Sequence, residues 1–166
     1  GTGQLSWNKA PLVFTQDSVG HFGINAATTS VATYRIPAST FGINGTLRYS
    51  VFFLSTSTVA YQYGGVSFGD GTATTSIGFV NLGNNAQPTP TPSTASITGT
   101  IRNLNSASVQ SIFGMGIGSG INTNAKIPLV ATSTAYNTAA TTYISVDIKA
   151  ASDDILARGF TLEVIQ

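Results

Sequence analysis

Apolar and polar residues alternate one by one along most of this 166-residue chain, a period of two that sets side chains on opposite faces of an extended strand. The pattern is cleanest in GTLRYSVFFLS, where Leu47, Tyr49, Val51 and Phe53 share one face and Thr46, Arg48, Ser50 and Phe52 the other. TTYISVDIKA places Ile144, Val146 and Ile148 inward, with Tyr143, Ser145, Asp147 and Lys149 outward. SITGTIRN sets Ile97, Gly99 and Ile101 against Thr98, Thr100 and Arg102. PLVFTQ, VATYRIP, VAYQYGGVSF, ATTSIGFVNL, SVQSIFGMGI and KIPLVAT read as further strands. The sequence closes on ARGFTLEVIQ, with Phe160, Leu162 and Val164 on one side and Thr161, Glu163 and Ile165 on the other. Both sides of that strand carry something apolar, so both are expected to be covered. The core takes one; a second copy of the protein, or the curvature of the two sheets within one subunit, takes the other.

No i, i+3, i+4, i+7 pattern is sustained, so helices are not expected. Turn chemistry punctuates the strands instead. Ile43-Asn44-Gly45 carries an Asn-Gly pair suited to positive φ, Gly69-Asp70-Gly71 is a tight reversal, and Ala151-Ser152-Asp153-Asp154 returns the chain into its last strand. NNAQPTPTPSTAS is rich in Pro and Thr, and each proline lacks a ladder donor. It is expected to be a projecting surface loop rather than a linker, because neither flank holds enough strands for a sandwich of its own. Short strands separated by turns at intervals of about 8 to 12 residues argue for an all-β, antiparallel, two-sheet sandwich or barrel.

Composition narrows the function. Only 8% of residues are Asp, Glu, Lys or Arg, against roughly 25% in ordinary soluble domains. Ser, Thr and Asn must wet the surface, which suits a robust extracellular particle. A net charge of +1 supplies no basic footprint for phosphate backbones, so nucleic acid is not an expected partner. No apolar run approaches the ~20 residues of a spanning helix, and membrane insertion is not expected. Cysteine is absent, which removes disulfides. GTGQLSWNKA has no signal-peptide layout.

Three stretches, TYRIPASTFGINGTLRYSVFF, ITGTIRNLNSAS and TTYISVDIKAASDDILARGFTLEVIQ, together resemble the C-terminal jelly-roll domains of bacteriophage tail fibres, tail spikes and related virion proteins. The likeness lies in Ile36-Pro37, the Asn44-Gly45 turn, Arg48 in the strand that follows, the run Arg102-Asn103-Leu104-Asn105-Ser106, and a closing hairpin around Asp153-Asp154. It covers residues 33–166, leaving 1–32 as a segment leading from a shaft or an earlier domain. Where family members carry a polar turn and Thr before the last strand, this chain has Ile155-Leu156-Ala157-Arg158, which leaves the length of that strand open. The resemblance implies a tumour-necrosis-factor-like jelly roll that assembles as a homotrimer at the tip of a virion fibre or spike. Its terminal strand would lie near the threefold axis, with Phe52, Thr161, Glu163 and Ile165 at the interface. The implied partners are other virion proteins and a host surface receptor, a glycan.

The candidate chemistry favours binding over catalysis. The only histidine, His21, has no Gly-Xaa-Ser-Xaa-Gly context and no Cys nearby, and reads as a turn or surface residue. Asp17, Asp70, Asp147, Asp153, Asp154 and Glu163 form the acidic set, of which Asp153 and Asp154 suit a turn better than an acid–base pair. GDGT at 69–72 lacks the further acidic ligands of a calcium loop. No enzyme activity, cofactor or metal is expected. Tyr61, Gln62 and Tyr63, with Trp7, are the aromatic and amide set suited to a shallow sugar site, although core or interface packing fits them too. Arg35, Arg48, Arg102 and Arg158 lie within or beside apolar strands, and Asp147 and Glu163 are their expected partners, with at least one such pair at a subunit boundary. Two other readings stay open: a jelly roll that only cements a capsid or tail, and a free, monomeric carbohydrate-binding module.

Overall fold

The computed structural model describes residues 12–22, 25–40, 42–55, 62–83, 93–119, 129–150 and 155–165. Among these the regular structure is entirely β: β1 (Leu12–Phe22), β2 (Asn25–Ile36), β3 (Thr46–Ser55), β4 (Gln62–Gly69), β5 (Thr74–Gly83), β6 (Ser93–Asn103), β7 (Gln110–Ser119), β8 (Leu129–Thr134), β9 (Thr142–Ala150) and β10 (Ile155–Ile165). Each of the ten apolar runs read from the sequence supplies one strand.

The strands form a six-stranded sheet, β1-β10-β3-β6-β7-β8, and a four-stranded sheet, β2-β9-β4-β5, with every neighbouring pair antiparallel. Nested pairing organises them: β1 with β10, β2 with β9, β3 with β6 and β4 with β5. Such a chain is one long hairpin wound so that successive rungs fall in alternate sheets, which is the eight-stranded jelly roll. The β7–β8 hairpin is an addition that widens the first sheet beyond β6.

Burial follows the alternation. Leu47, Tyr49, Val51 and Phe53 are buried on β3, Ile97 and Ile101 on β6, and Ile144, Val146 and Ile148 on β9. Each such side chain withdrawn from water contributes about 1.5–3 kcal/mol of driving force. The sheets are joined by side chains that cross between them. Tyr34 of β2 stacks on Phe160 of β10 at 4.5 Å between ring centroids, and the Tyr49 hydroxyl donates to the Ile77 carbonyl at 2.6 Å.

Three expectations need correction. Ser93–Ser96, expected within the Pro-Thr loop, belongs to β6, a central strand paired on both sides. The prolines stop at Pro92, so the ladder from Ser93 onward lacks no donor, and Ala95 is buried. A boundary between residues 32 and 33 falls inside β2, and the pairing of β1 with β10 begins at Leu12, so both strands are integral to the sandwich. Asn44-Gly45 turns without positive φ: Gly45 N–H donates to the Gly42 carbonyl at 2.9 Å, which makes Ile43 and Asn44 the central pair of an ordinary β-turn.

The register places the connections 37–45, 70–73, 104–109 and 135–141 at the end where β1 begins and β10 finishes. Three of them are laced together by buried polar groups. Asn103 Nδ2 donates to the Gly42 carbonyl at 2.9 Å and Thr138 Oγ1 at 2.8 Å, Gln110 Nε2 donates to Asn103 Oδ1 at 3.1 Å, and Tyr136 N–H donates to Gln110 Oε1 at 3.1 Å. The Arg102–Ser106 run therefore acts as a structural clasp. At the opposite end lie Phe22, Asn25, Ser55, Gln62, Gly83, Ser93, Ala150 and Ile155, where β1 to β6, β9 and β10 break off.

Candidate functional site

Two solvent faces remain once the core is assigned, and both carry residues singled out in the sequence. On the six-stranded sheet the outward side chains of β3 and β10 meet in register, Thr161 opposite Ser50 and Glu163 opposite Arg48. Phe52, Thr161, Glu163 and Ile165 all lie on this face, and Phe52 is 58% exposed while its neighbour Phe53 is buried. β6 adds a stripe of hydroxyls, Thr94, Ser96, Thr98 and Thr100, and β7 adds Phe113 and Ile117, at 47% and 53% exposure. Arg48 Nη1 lies 3.1 Å from Glu163 Oε2. This is an expected Arg–carboxylate pair, formed within one chain across neighbouring strands, and while exposed it is worth at most about 1 kcal/mol.

A bulge brings apolar residues of both parities in β10 to the core face, and Ile165 is left on the outer face, 37% exposed. Between Arg158 and Thr161 β10 has one residue more than β3, and Gly159 takes a left-handed φ of 59° there. Ile155 and Ala157 before it, and Phe160, Leu162 and Val164 after it, are thereby all buried. The strand runs unbroken from Ile155, which settles its length.

On the four-stranded sheet β4 turns Tyr63, Gly65 and Ser67 outward, between β9 and β5. Tyr63 is half-buried there. Gln62 is not: it is 1% exposed and its amide oxygen accepts from the Ser55 hydroxyl, so the expected sugar-binding role is corrected to a core hydrogen bond. The reason is parity, since neighbours on a strand cannot share a face. Tyr61 and Trp7 lie outside the described residues. His21 stands opposite Leu156 in the β1–β10 ladder.

Beside Gly65 the sheet carries Asp147 on β9 and Phe79 on β5, the latter 42% exposed. Asp147 does not meet an arginine. Its Oδ1 accepts from Ser30 Oγ and its Oδ2 from Ser67 Oγ, both at 2.6 Å, and the hydroxyls of Thr33 and Ser145 pair one row further on at 3.0 Å. Arg35 instead donates to Thr141 Oγ1 at 3.3 Å. Arg102 and Arg158 are exposed. Phe79 and Asp147 flank a residue without a side chain, and that vacancy appears only when β9, β4 and β5 are put side by side.

Asp70 is a turn residue. Its Oδ1 accepts from Ala73 N–H at 2.9 Å, Thr72 Oγ1 at 2.7 Å and Thr72 N–H at 2.9 Å, and Gly71 completes the reversal with φ 93°. The Ala73 amide above all, then the Thr72 hydroxyl and amide, hold this exposed carboxyl down to a pKa of about 2. Burial raises the phenols of Tyr49 and Tyr34. Among the described residues no three His, Cys, Asp or Glu side chains cluster as metal ligands would.

The strand order defines a jelly-roll domain. No protein-family model matches the chain, and no curated protein matches it. Among solved structures it is similar to infectious bursal disease virus, Gx strain, at 14% identity and TM-score 0.36, covering 94% of this chain and 42% of that one. The Gt strain gives 14% and 0.38 over 93% and 42%, and the VP2 subviral particle of the same virus gives 13% and 0.36 over 93% and 41%. The chain thus spans less than half the length of these relatives, and overlaps of this size carry no assignment; the jelly roll rests on the strand pairing itself.

Proposed function

We propose that this chain is a non-enzymatic virion domain, a fibre or spike tip that assembles as a homotrimer through the outer face of its six-stranded sheet and holds a host-surface glycan. One observation carries the assembly half: Phe52, Phe113 and Ile117 stand roughly half or more exposed on one face, beside Ile165, a row of hydroxyls on β6 and the Arg48–Glu163 pair. Five strands of ten or eleven residues and the six-residue β8 give a face of at most ~24 by ~33 Å. Its ~800 Å² is the size of one partner's share in a standard interface. Covering it with sister copies would also desolvate the Arg48–Glu163 pair and turn a weak surface contact into a register-fixing one.

A binding rather than catalytic role is supported by the separation of two of the described carboxylates. Asp147 and Glu163 stand on the outer faces of different sheets, with the core, about 10 Å thick, between them. They cannot flank one glycosidic bond. The virion location is supported by the likeness to fibre and spike domains in the Ile36-Pro37 and Arg102–Ser106 stretches; the closing hairpin expected with them does not form, because β9 pairs with β2 and β4 in one sheet and β10 with β1 and β3 in the other.

Native mass measurement on the purified chain, paired with binding to host cells, tests the reading. A trimer that binds cells is the expected result. A well-folded monomer at micromolar concentration overturns the assembly half, and a trimer that ignores cells but decorates the shell in electron micrographs establishes the capsid-cementing alternative.

A further inference from the structure

Glycine inside a strand is unfavourable, because it loses the most backbone freedom on ordering and has nothing to pack. Most strand glycines here have a packing reason. A Cβ on Gly64 would stand 2.6 Å from the Phe53 ring and one on Gly78 2.6 Å from Ile97 Cγ2, while those on Gly99, Gly114 and Gly116 would overlap Tyr49, the Ile77 carbonyl and Val80. Gly65 has no such reason. Its Cβ would meet nothing nearer than the Gly78 carbonyl at 3.6 Å and Asp147 Cβ at 3.7 Å, ordinary contact, and its backbone is not left-handed.

Strand propensity favours a β-branched residue at such an outward position, by up to ~1 kcal/mol. The chain leaves it bare in the middle of the four-stranded sheet, with Asp147 on one flank, Phe79 on the other, and Tyr63 and Ser67 before and after it on β4. A strand-interior glycine marks a bulge or a place where another molecule comes close to the backbone; the β5 bulge falls at Ile77, beyond the Gly65–Phe79 pair, and leaves the room above Gly65 open. The groups around it define what kind. Asp147 is fixed by the Ser30 and Ser67 hydroxyls, one on each oxygen, and each oxygen has a further lone pair for an incoming hydroxyl. Phe79, 42% exposed, offers an apolar ring roughly two strand spacings, ~10 Å, away.

We propose that Gly65 is the floor of a sugar subsite on the outer face of the four-stranded sheet. It takes one pyranose unit of a neutral glycan, with ring C–H groups against Phe79 and neighbouring hydroxyls donating to Asp147. An acidic sugar is repelled by the same carboxylate. A thin cationic chain would leave the bare floor unfilled, whereas a flat ring covers it. The inference rests on the glycan-binding reading above and adds to it a defined floor with two flanking groups, Tyr63 standing two residues away on the same face of β4.

The test uses the whole chain and a panel of immobilised neutral oligosaccharides of glucose, galactose, rhamnose and N-acetylglucosamine, with a lysine-rich peptide alongside. Gly65→Leu fills the floor, Phe79→Ala removes the ring, and Ser108→Ala, exposed in the 104–109 connection away from both sheet faces, is the control. Binding of at least one panel sugar is expected, weakened tenfold or more by Gly65→Leu and by Phe79→Ala and unchanged by Ser108→Ala, with melting temperatures near that of the unaltered chain. Should Gly65→Leu fold poorly, the exposed Phe79→Ala variant decides alone. Equal sugar binding by all variants overturns the site and leaves the glycan reading standing. Binding of the peptide instead of sugars overturns the ligand class, as does binding to host cells with no sugar retained. Binding to neither cells nor sugars overturns both readings.

Discussion

Tyr49 does at the scale of one residue what the two sheets do at theirs. It is fully buried on β3 of the first sheet, and its hydroxyl reaches the carbonyl of Ile77, a residue of β5 that has no partner across from it on β4. Replacing it with Phe leaves that buried carbonyl unsatisfied, so Tyr49→Phe should cost about 1–3 kcal/mol, read as a lower urea midpoint with an unchanged slope. Burial also raises this phenol above its ordinary value of 10.0. Above that pH the unfolded chain releases a proton that the folded chain retains, so stability falls as pH rises, and Tyr49→Phe should blunt the fall. Gly159 is the second decisive residue. A Cβ there would meet only Phe52 Cδ2, at 3.9 Å, so the cost of Gly159→Ala is purely that of holding φ near 59°, about 1–2 kcal/mol in thermal or urea unfolding.

Among the elements, β10 shows how far alternation reads. Ile155 and Ala157 share one parity, Phe160, Leu162 and Val164 the other, yet all five are buried because the bulge at Gly159 shifts the strand by one residue. Alternation applied to the last six residues alone places Phe160, Leu162 and Val164 correctly; extended back through Gly159 it would turn Ile155 and Ala157 outward. The turn between β4 and β5 is legible in full, since Gly69-Asp70-Gly71 announces both the reversal and the residue that holds it. Its carboxyl titrates near 2 when folded and near the ordinary 3.8 when unfolded. The turn's contribution is thus present above pH 4 and lost as pH falls toward 2, because the unfolded chain takes up its proton first. Asp70→Asn should flatten the acid limb of a stability–pH profile between those values and leave the neutral region's slope unchanged.

For the whole molecule the open face of the six-stranded sheet sets the expectation. If sister copies cover it, Phe52→Asp places a charge in the buried boundary and should convert the assembly to monomers, detected by sedimentation velocity, with the β-sheet circular dichroism spectrum unchanged because Phe53 alone faces the core. The jelly roll was partly legible: ten strands, their inward faces and the all-β class follow from alternation and turn chemistry. The proposed sugar subsite was not. Tyr63 was visible as an aromatic in a polar stretch, but Phe79 and Asp147 lie 16 and 84 positions from it, and nothing local marks them as its neighbours. Gln62 was misplaced for a related reason: being adjacent to Tyr63, it must point the other way.

By itself the sequence determined the strands, which side of each is apolar, and the poverty of charge that leaves hydroxyls to meet solvent. These are nearest-neighbour properties, fixed by side-chain parity and by the residues that can turn a chain. Tertiary structure alone decided which strands lie side by side, and with that the clasp of Asn103, Gln110 and Thr138, the insertion of the β7–β8 hairpin, and the bare floor at Gly65 between Asp147 and Phe79. Pairing in a jelly roll joins residues far apart along the chain, so a site built across three strands exists only once the long hairpin has wound up.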